Sequence, residues 1–428
     1  MSAPSKFQEI LRSDAHYQTS TLRVEDAQAI IKKLIAPIQE TETVGLFQAL
    51  DRILANDIIS AIHVPAHDNS AMDGYAFSSH ELQGEKVSLS IAGTALAGHP
   101  YTGEVKANSC VRIMTGAVMP TGCDTVIPQE LCEQINEQQI HFSALCIYKG
   151  DNRRLQGEDL RLGQIALAAG KRIGAAELGL LASLGVAQVE VRRRLTIATF
   201  STGDEIRSLG ETLDAGCIYD SNRYTVFGML SALGCEILDL GVIADHPDAL
   251  EAALRHACIH ADAIITSGGV SVGAADYTRQ VMAKLGEVEF WTIAMRPGRP
   301  LAFGEIHADG HSAYLFGLPG NPVAVMVSFY FFVQQALRSM MGTRITPPLS
   351  VPAISAGKIK KRPGRTEYQR GIASRLSDGR LQVKVTGSQG SGILRSMSEA
   401  NCMIVLNDDR HDIEAGDVIE IVLFHGLI

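Results

Sequence analysis

Glycine-rich backbone and single carboxylates follow several of the apolar runs between residues 192 and 341. The clearest case is "SGGVSVGAAD", residues 267–276, which follows the apolar run "ADAIIT". Glycines let backbone N–H groups approach an anion, so this stretch could cradle a phosphate beside the acid Asp276. It also contains G-x-S-x-G at Gly269, Ser271 and Gly273, the pattern of a hydrolase nucleophile. A nucleophile needs a sharp turn, and this loop is too long for one, so we favour a ligand pocket.

Other polar residues follow neighbouring runs. Glu205 comes after "LTIATFSTGD", Asp245 comes after "CEILDLGVIA", and the turn "LPGNP" follows "SAYLFG". Taken singly these residues have ordinary interpretations: Asp276 could cap a helix, and Asn321 with the following proline is a typical cap and first turn. Carboxylates beside a bound anion repel it unless a divalent cation lies between them. We therefore predict that Asp245 and Asp276 bind Mg²⁺ next to a phosphorylated ligand.

The ligand is expected to contact backbone glycines, serine hydroxyls and two arginines that clamp oxyanions with paired donors. The residues predicted to bind it are Ser267, Gly268, Gly269, Ser271, Gly273, Arg296, Arg299, Pro319, Gly320 and Asn321. The chain has neither a Walker A motif nor G-x-G-x-x-G, which disfavours a P-loop ATPase and a nicotinamide dehydrogenase.

These residues must be positioned by one sheet. Strand-like and helix-like segments alternate from 192 to 341, which predicts a doubly wound, mostly parallel α/β sheet. In such a sheet, ligands bind beyond the carboxyl ends of the strands, where the polar residues described above fall. The clustering at one edge favours a real binding site over a set of unrelated loop acids.

The rest of the chain has a different texture. Residues 1–60 and 161–190 are predicted to be mainly helical, with "RVEDAQAIIKKLI" and "LFQALDRILANDII" as two helices, and to enclose an inserted β-rich domain, residues 61–160. The α/β domain spans 191–345, and a compact β-barrel-like domain spans 346–428. The basic run Lys358–Arg365 is expected to be a solvated edge of that barrel.

Composition limits the function classes. The chain has 428 residues and a net charge of −9, which argues against nucleic-acid binding through a general basic field. The N-terminus lacks the apolar core of a signal peptide, and the unbroken apolar part of the stretch from Pro322 is too short to span a bilayer. The eight cysteines form no C-x-x-C, a pattern typical of reduced thiols. We expect a cytoplasmic protein without a membrane partner.

Several motifs, in this order along the chain, resemble the molybdopterin molybdenumtransferase family, the MoeA type that is also found as the C-terminal part of gephyrin. They are "DNSAMDGYA", "RIMTGAVMPTGCDTVIPQE", "GEDL", "STGDEI", "IYDSNRY", "SGGVSVGAADYT" and "GLPGNPVAV". The resemblance covers the chain from about residue 20 to the end. It implies an elongated linking domain, an inserted β-rich domain, a molybdopterin-binding α/β domain and a C-terminal β barrel.

The resemblance also implies a reaction: adenylylated molybdopterin is cleaved with release of AMP, and molybdate is inserted into the dithiolene. The catalytic residues that it implies are Asp73, Thr115, Asp159, Glu205, Asp245 and Asp276. It implies a homodimer with the active site at the subunit interface, where the partner subunit supplies the first three. A molybdopterin adenylyltransferase and molybdoenzyme maturation factors are the protein partners that it suggests.

The sequence departs from the family pattern at two places. Arg296 and Arg299 stand where lysines are common, so a planar fork replaces a compact ammonium, and Ala274 stands where a glutamate is common. Two other functions remain open from the residues. A molybdopterin adenylyltransferase would share the α/β domain but does not need the inserted domain or the β tail. A non-catalytic molybdopterin-binding scaffold would not need the acids.

Overall fold

The structure is a computed structural model that describes residues 8–9, 21–269, 276–344 and 347–424, with only the backbone at Gln134 and Asp276. The chain divides into two compact units. Unit 2 comprises Thr43–Leu50 and Leu54–Val191, and unit 1 comprises Met1–Glu42, Asp51–Ile53 and Arg192–Ile428. Unit 2 is thus nested in the sequence of unit 1.

The α-helices of the described residues are spread over both units. In chain order they are α1 (Val24–Leu34), α2 (Ala175–Ser183), α3 (Ser221–Ala232), α4 (Pro247–His260), α5 (Asp276–Leu285), α6 (Pro322–Ser328), α7 (Gln334–Met340) and α8 (Arg395–Glu399). A π-helical segment, Phe329–Val333, joins α6 to α7. Short 3-10 helices are formed by Leu46–Ala49, Ser79–Glu81, Gln129–Leu131 and Ala144–Cys146.

Unit 2 is rich in short strands, as the alternating apolar pattern predicts. They are β1 (Thr41–Gly45), β2 (Ile58–Ile59), β3 (Asn69–Ser70), β4 (Gly74–Phe77), β5 (Lys86–Ala95), β6 (Ser109–Ile113), β7 (Thr125–Pro128), β8 (Glu133–Asn136), β9 (Gln139–Ser143), β10 (Arg153–Arg154), β11 (Ile165–Leu167) and β12 (Gln188–Arg192). Six of them form a sheet in the order β7-β4-β6-β5-β9-β8. Buried Phe77, Val111 and Ile127 belong to its core.

The second predicted N-terminal helix, "LFQALDRILANDII", is wrong. Only Leu46–Ala49 is helical, as a 3-10 turn, and β2 follows at Ile58–Ile59. Asp51 between them has a φ of 63°, a left-handed conformation that a continuing α-helix cannot contain. The three-to-four spacing of the apolar residues was misleading. Ala49 and Leu54 are both buried, but they lie at the end of a 3-10 turn and in the segment after it, and not on one face of a helix.

Unit 1 contains the α/β sheet. The strands of unit 1 that precede the C-terminal barrel, six of which form this sheet, are β13 (Thr196–Thr202), β14 (Ile206–Arg207), β15 (Ile218–Tyr219), β16 (Glu236–Ile243), β17 (Ala263–Ser267), β18 (Gly286–Thr292), β19 (Met295–Arg296), β20 (Pro300–Ala308) and β21 (His311–Leu318). The sheet order is β16-β13-β17-β21-β20-β18, and the first four strands are parallel. The predicted mostly parallel sheet is therefore confirmed, and β20 alone among these strands runs in the opposite direction, antiparallel to its neighbours β21 and β18.

Helices cover both faces of this sheet because successive strand residues point to opposite sides. Ile197 and Ile265 share a core with α3 and the α6–α7 helix, whereas Ala198 and Ile264 share another core with α4 and α5. α1 packs on the first of these layers, where the Gln28 side chain donates to the Phe331 carbonyl oxygen at 2.8 Å. This double layer confirms the doubly wound prediction.

The α6–α7 helix, Pro322–Met340, is long and apolar enough to cross a membrane by length and composition alone. In the fold, 78% of its apolar window is buried inside the protein. Burial among the residues of unit 1 accounts for its apolar character, so the helix is the buried core helix that the sequence predicts.

The last strands of unit 1 are β22 (Ser350–Ser355), β23 (Thr366–Arg375), β24 (Leu381–Val385), β25 (Cys402–Leu406) and β26 (Val418–Leu423). They pair in the cycle β23-β24-β22-β26-β25-β23, which closes a five-stranded barrel and confirms the predicted barrel. β19 adds to this barrel by pairing with β23.

The expectation that Lys358–Arg365 is a solvated edge is wrong at two residues, Ile359 and Lys361, which are both buried. Lys361 is 4% exposed, and its ammonium group donates to the carbonyl oxygens of Arg362 and Arg365 at 2.8 and 2.7 Å. Burial lowers the pKa of Lys361. The run therefore folds over its own lysine instead of presenting every charge to water.

Candidate active site

The parallel strands of unit 1 end at one edge, and each of four ends carries predicted site residues. Gly203 to Glu205 follow β13, Asp245 follows β16, Gly268 and Gly269 follow β17, and Pro319 to Asn321 follow β21. The register confirms this placement, since Ser201 pairs with Ser267, and Ser267 pairs with Leu318. The sheet thus brings together at its carboxyl edge residues that are more than 100 positions apart in the sequence.

The turn after β17 needs glycine. Gly268 and Gly269 have φ values of 94° and 71°, in the left-handed region that side chains rarely adopt. A Cβ at Gly268 would lie 2.4 Å from the carbonyl oxygen of Thr202, and the Gly268 N–H donates to the Leu318 carbonyl oxygen at 3.1 Å. The glycines therefore let the chain cross closely between the ends of β13 and β21.

The turn after β21 leaves polar groups exposed. Pro319 is buried, whereas Gly320 and Asn321 are exposed at the start of α6. Asn321 is the N-cap of α6, but its side chain makes no capping hydrogen bond. The interpretation of Asn321 as a simple cap is therefore not supported, and its amide remains available to a ligand.

Two acids stand on the adjoining loops. The Glu205 carboxylate folds back over the preceding turn and lies against Gly203. A Cβ at Gly203 would be only 2.6 Å from Glu205 Oε2. Asp245 is exposed after β16, and its Oδ1 accepts a hydrogen bond from the hydroxyl group of Tyr277 in the first turn of α5. Burial and the adjacent Asp245 carboxylate raise the pKa of Tyr277 to about 12, so the phenol remains a donor at neutral pH. This contact joins the β16 loop to α5.

Three predicted site residues cannot be placed in full. Ser271 and Gly273 lie outside the described residues, and Asp276 is described only as the first backbone position of α5. Among the side chains that the structure describes, no cluster of three or more His, Cys, Asp or Glu is arranged to hold a metal. Asp245 and Asp276 as Mg²⁺ ligands therefore remain a prediction.

The predicted arginines lie where the sheet of unit 1 meets its barrel. Arg296 and Arg299 are both exposed, and Arg296 is in β19, in register with Glu367 of β23. A cavity of about 250 Å³ opens beside Arg296. Its polar lining consists of Arg296, Lys358, Lys360, Glu367, Gln369, Arg370 and Gln389. Most of these charges are positive, which suits an oxyanion.

Arg370 is a residue of this cavity that sequence patterns do not single out. It is fully buried, its Nε donates to Ser396 Oγ and its Nη2 to the Gly390 carbonyl oxygen, both at 3.0 Å. Among the described residues, no carboxylate forms an ion pair with it. Burial, with a further contribution from the Arg296 charge, lowers the pKa of Arg370 to about 10. The signal in the sequence is a cation at an inward position of the strand "TEYQRGIAS".

A second buried polar group lies behind the same turn. Ser328 is fully buried, and its Oγ has no hydrogen-bond partner among the described residues. A Cβ at Gly298, between Arg296 and Arg299, would lie 2.7 Å from this oxygen. Buried hydroxyl groups are nearly always paired. The Arg296–Arg299 turn therefore packs against a buried hydroxyl group that has no hydrogen-bond partner in the described part of the chain.

Unit 2 brings together two of its three predicted catalytic residues. Asp73 Oδ1 accepts hydrogen bonds from the backbone N–H and the hydroxyl of Thr115, both at 2.7 Å. These two bonds lower the pKa of Asp73, so this exposed carboxylate is ionised at neutral pH. Asp159 is also exposed, but among the described residues no hydrogen bond or ion pair links its side chain to the Asp73–Thr115 pair.

Family models match three consecutive regions of the chain. The MoeA N-terminal region (domain I and II) matches residues 22–185, the probable molybdopterin binding domain matches 198–339, and the MoeA C-terminal region (domain IV) matches 352–424. The solved structure of the molybdopterin biosynthesis moeA protein from Pyrococcus horikoshii OT3 covers 94% of this chain and all of that chain, with a TM-score of 0.80 and 25% identity.

Curated relatives match over nearly the same length. The molybdopterin molybdenumtransferase of Haemophilus influenzae is 42% identical over 93% of this chain and 97% of its own, and that of a Nostoc species is 36% identical over 91% of each. The gephyrin of Dictyostelium discoideum is 33% identical over 90% of this chain and 59% of its own.

The fold and the site together define a multidomain protein of the MoeA architecture, with a molybdopterin-binding domain before a barrel. The chain belongs to the molybdopterin molybdenumtransferase family.

Proposed function

We propose that this chain is a molybdopterin molybdenumtransferase, which cleaves adenylylated molybdopterin, releases AMP and inserts molybdate into the dithiolene. The observation that carries this proposal is the carboxyl edge of the unit 1 sheet. Glycine-containing turns, acids and Asn321, whose side chain makes no capping hydrogen bond, follow four parallel strands at this edge. The chain also matches its relatives over nearly its whole length. Ligand binding at that edge is the rule for open α/β sheets.

The pterin phosphate would bind to the turns after β17 and β21. The N–H groups around Gly268 and Gly269 are donors that can approach an anion closely, because no side chain intervenes. Asn321 at the start of α6 adds an amide that no capping bond occupies, and the N-terminal end of the α6–α7 helix favours negative charge. These residues bind and orient the phosphate without themselves reacting.

Asp245 and Asp276 are proposed to hold Mg²⁺. Mg²⁺ in phosphate sites takes one or two protein carboxylates together with substrate phosphate oxygens, so the donor set fits without a cage of three protein ligands. When bound, the ion would polarise the phosphoanhydride and neutralise the charge on the leaving AMP. Tyr277 holds one oxygen of Asp245 in place, and Glu205 would position the attacking water.

Molybdate, as a substrate, is proposed to bind in the cavity beside Arg296. A tetrahedral dianion offers acceptors on every side, and Arg296 and Arg370 offer planar forks of donors. The buried and unpaired charge of Arg370 is costly unless an anion compensates it. Arg299 and Ser328 Oγ, on either side of the Gly298 turn, would complete the polar surroundings.

A homodimer is proposed for the complete site, with Asp73, Thr115 and Asp159 supplied by the partner subunit. Its support in unit 1 is an apolar surface at the start of α3 that water would otherwise cover. Ile218 and Tyr219 in β15, and Tyr224 and Phe227 one turn apart on α3, are between 43% and 55% exposed. Exposed apolar residues grouped in this way are typical of protein interfaces.

The experiment supplies the purified protein with adenylylated molybdopterin, Mg²⁺ and molybdate, and measures AMP by chromatography and molybdenum on the pterin. We expect Mg²⁺-dependent AMP release that Asp245→Asn slows about a hundredfold. The matched control is Asp248→Asn, because that acid is exposed three residues further on and should not matter. Consumption of ATP would instead indicate an adenylyltransferase, and tight binding without turnover would indicate a scaffold.

A further inference from the structure

Asn222 connects two of the turns at the carboxyl edge. It lies in the first turn of α3, within "IYDSNRY", and is 7% exposed. Its Nδ2 group donates to Ser267 Oγ and to the carbonyl oxygen of Gly320, each at 2.7 Å. Ser267 ends β17, and Gly320 lies in the turn after β21, so a single side-chain amide holds both ligand-binding turns.

These contacts fix the direction of the hydrogen bonds. The Gly320 carbonyl oxygen can only accept, so the nitrogen side of the amide must face it, and the same nitrogen then donates to Ser267 Oγ. The Ser267 oxygen thereby accepts, and its own proton must go to another acceptor. Among the described residues, none accepts that proton.

Neighbouring buried atoms also have no partner within the described part of the chain. Asn222 Oδ1 is buried without a hydrogen bond, and so is the hydroxyl of Ser201, which pairs in register with Ser267 on the adjacent parallel strand. A buried polar group without a partner costs about 1–3 kcal/mol. Unpaired polar groups side by side at a strand end therefore indicate a polar ligand.

We propose that Asn222 is a positioning residue of the substrate pocket, which orients the Ser267 hydroxyl as a hydrogen-bond donor to an oxygen atom of the phosphorylated pterin. This inference rests on the proposed function, because it takes its ligand from it. Asn222 itself acts through Ser267 and takes no part in bond breaking.

The test is a double-mutant cycle in the full chain, with dissociation constants for molybdopterin measured by fluorescence titration. We expect Asn222→Ala and Ser267→Ala each to weaken binding about tenfold. The double variant should bind about as tightly as the more weakly binding single variant, because both substitutions remove the same interaction. Thr225→Ala is the control: it removes a side-chain hydrogen bond of the same helix, to the Ser221 carbonyl oxygen at 3.0 Å, and should not change binding.

A second variant tests the direction of the bond. Asn222→Asp keeps the shape but replaces the donor by an acceptor, so the Ser267 proton turns toward the new carboxylate and away from the ligand. We expect it to weaken binding at least as much as Ser267→Ala does, with the melting temperature as a check on folding.

The outcomes separate the two proposals. Additive, hundredfold losses in the double variant would overturn the role of Asn222. So would a lower melting temperature of the Asn222 variants with an unchanged dissociation constant. Failure of the unaltered protein to bind molybdopterin would instead refute the proposed function, and this inference with it.

Discussion

Replacement of Arg370 by methionine tests two effects of its buried charge: the destabilisation of the fold and the proposed binding of molybdate. Burial lowers the pKa of Arg370 to about 10, against an ordinary value of at least about 12.5, and each pKa unit corresponds to about 1.4 kcal/mol. A cation with a lowered pKa destabilises the fold wherever it is protonated, so the full cost of about 3.5 kcal/mol applies below pH 10. It declines only as the pH rises past that value.

Arg370→Met removes this cost but leaves one carbonyl oxygen, that of Gly390, without its donor. Ser396 Oγ keeps a hydrogen bond to the Ile393 carbonyl oxygen at 2.6 Å. The unpaired carbonyl costs about 1–3 kcal/mol, so without molybdate the variant should be more stable than the unaltered protein by about 0.5–2.5 kcal/mol. Methionine fills most of the vacated volume.

Molybdate should reverse this order. At one hundred times its dissociation constant, a ligand stabilises the protein that binds it by about 2.7 kcal/mol, and the variant should gain none of this. Thermal unfolding with and without molybdate measures both effects, and Arg375→Met, at the exposed end of the same strand, is the control. If Arg370→Met lost several kcal/mol without molybdate and still responded to it, Arg370 would be a structural residue, and the site assignment would be refuted.

Three other features can be tested by single substitutions. Gly268→Ala should unfold at lower denaturant than Gly310→Ala and lose molybdopterin binding: both glycines have positive φ, but a Cβ at Gly310 meets open space. Equal stability and binding of the two variants would contradict this. Thr115→Ala should raise the pKa of Asp73 part of the way toward its ordinary value, measurable by NMR titration, because the hydroxyl hydrogen bond is lost while the backbone N–H bond remains; an unchanged pKa would show that the hydroxyl does not hold it. Phe227→Asp should convert a dimer into a monomer in sedimentation, and an unaltered mass would place the interface elsewhere.

The sheet and the place of the site could be predicted from the sequence. Strands such as "AIITS" are short, mostly apolar runs that are followed by glycine, and parallel strands present their ends at a common edge. Glu205 and Asp245 could be assigned to that edge on chain order alone. The contact between Asp245 and Tyr277 could not, because it depends on how two loops approach each other.

Two features escaped the sequence for physical reasons. The 3-10 turn at Leu46–Ala49 has helical spacing, but Leu50 leaves the helical conformation with a ψ of 133° and Asp51 is left-handed, so no longer helix forms. Arg370 has the residue type of a surface position, and local periodicity does not reveal that its strand belongs to a closed barrel in which this position is enclosed. Both outcomes were decided by tertiary packing, on which local patterns carry no information.

The nesting of unit 2 within unit 1 has a consequence for the order of folding during synthesis. Unit 2 is complete once Val191 has been made, whereas α1 must wait for its packing partner: Gln28 and Phe331 are 303 positions apart. Contacts of such long sequence separation form late, and domains generally fold as units as the chain emerges. The apolar face of α1, with Ile30 and Ile31, therefore stays uncovered until most of the chain exists. The nascent chain, and not the finished protein, is the form most exposed to aggregation.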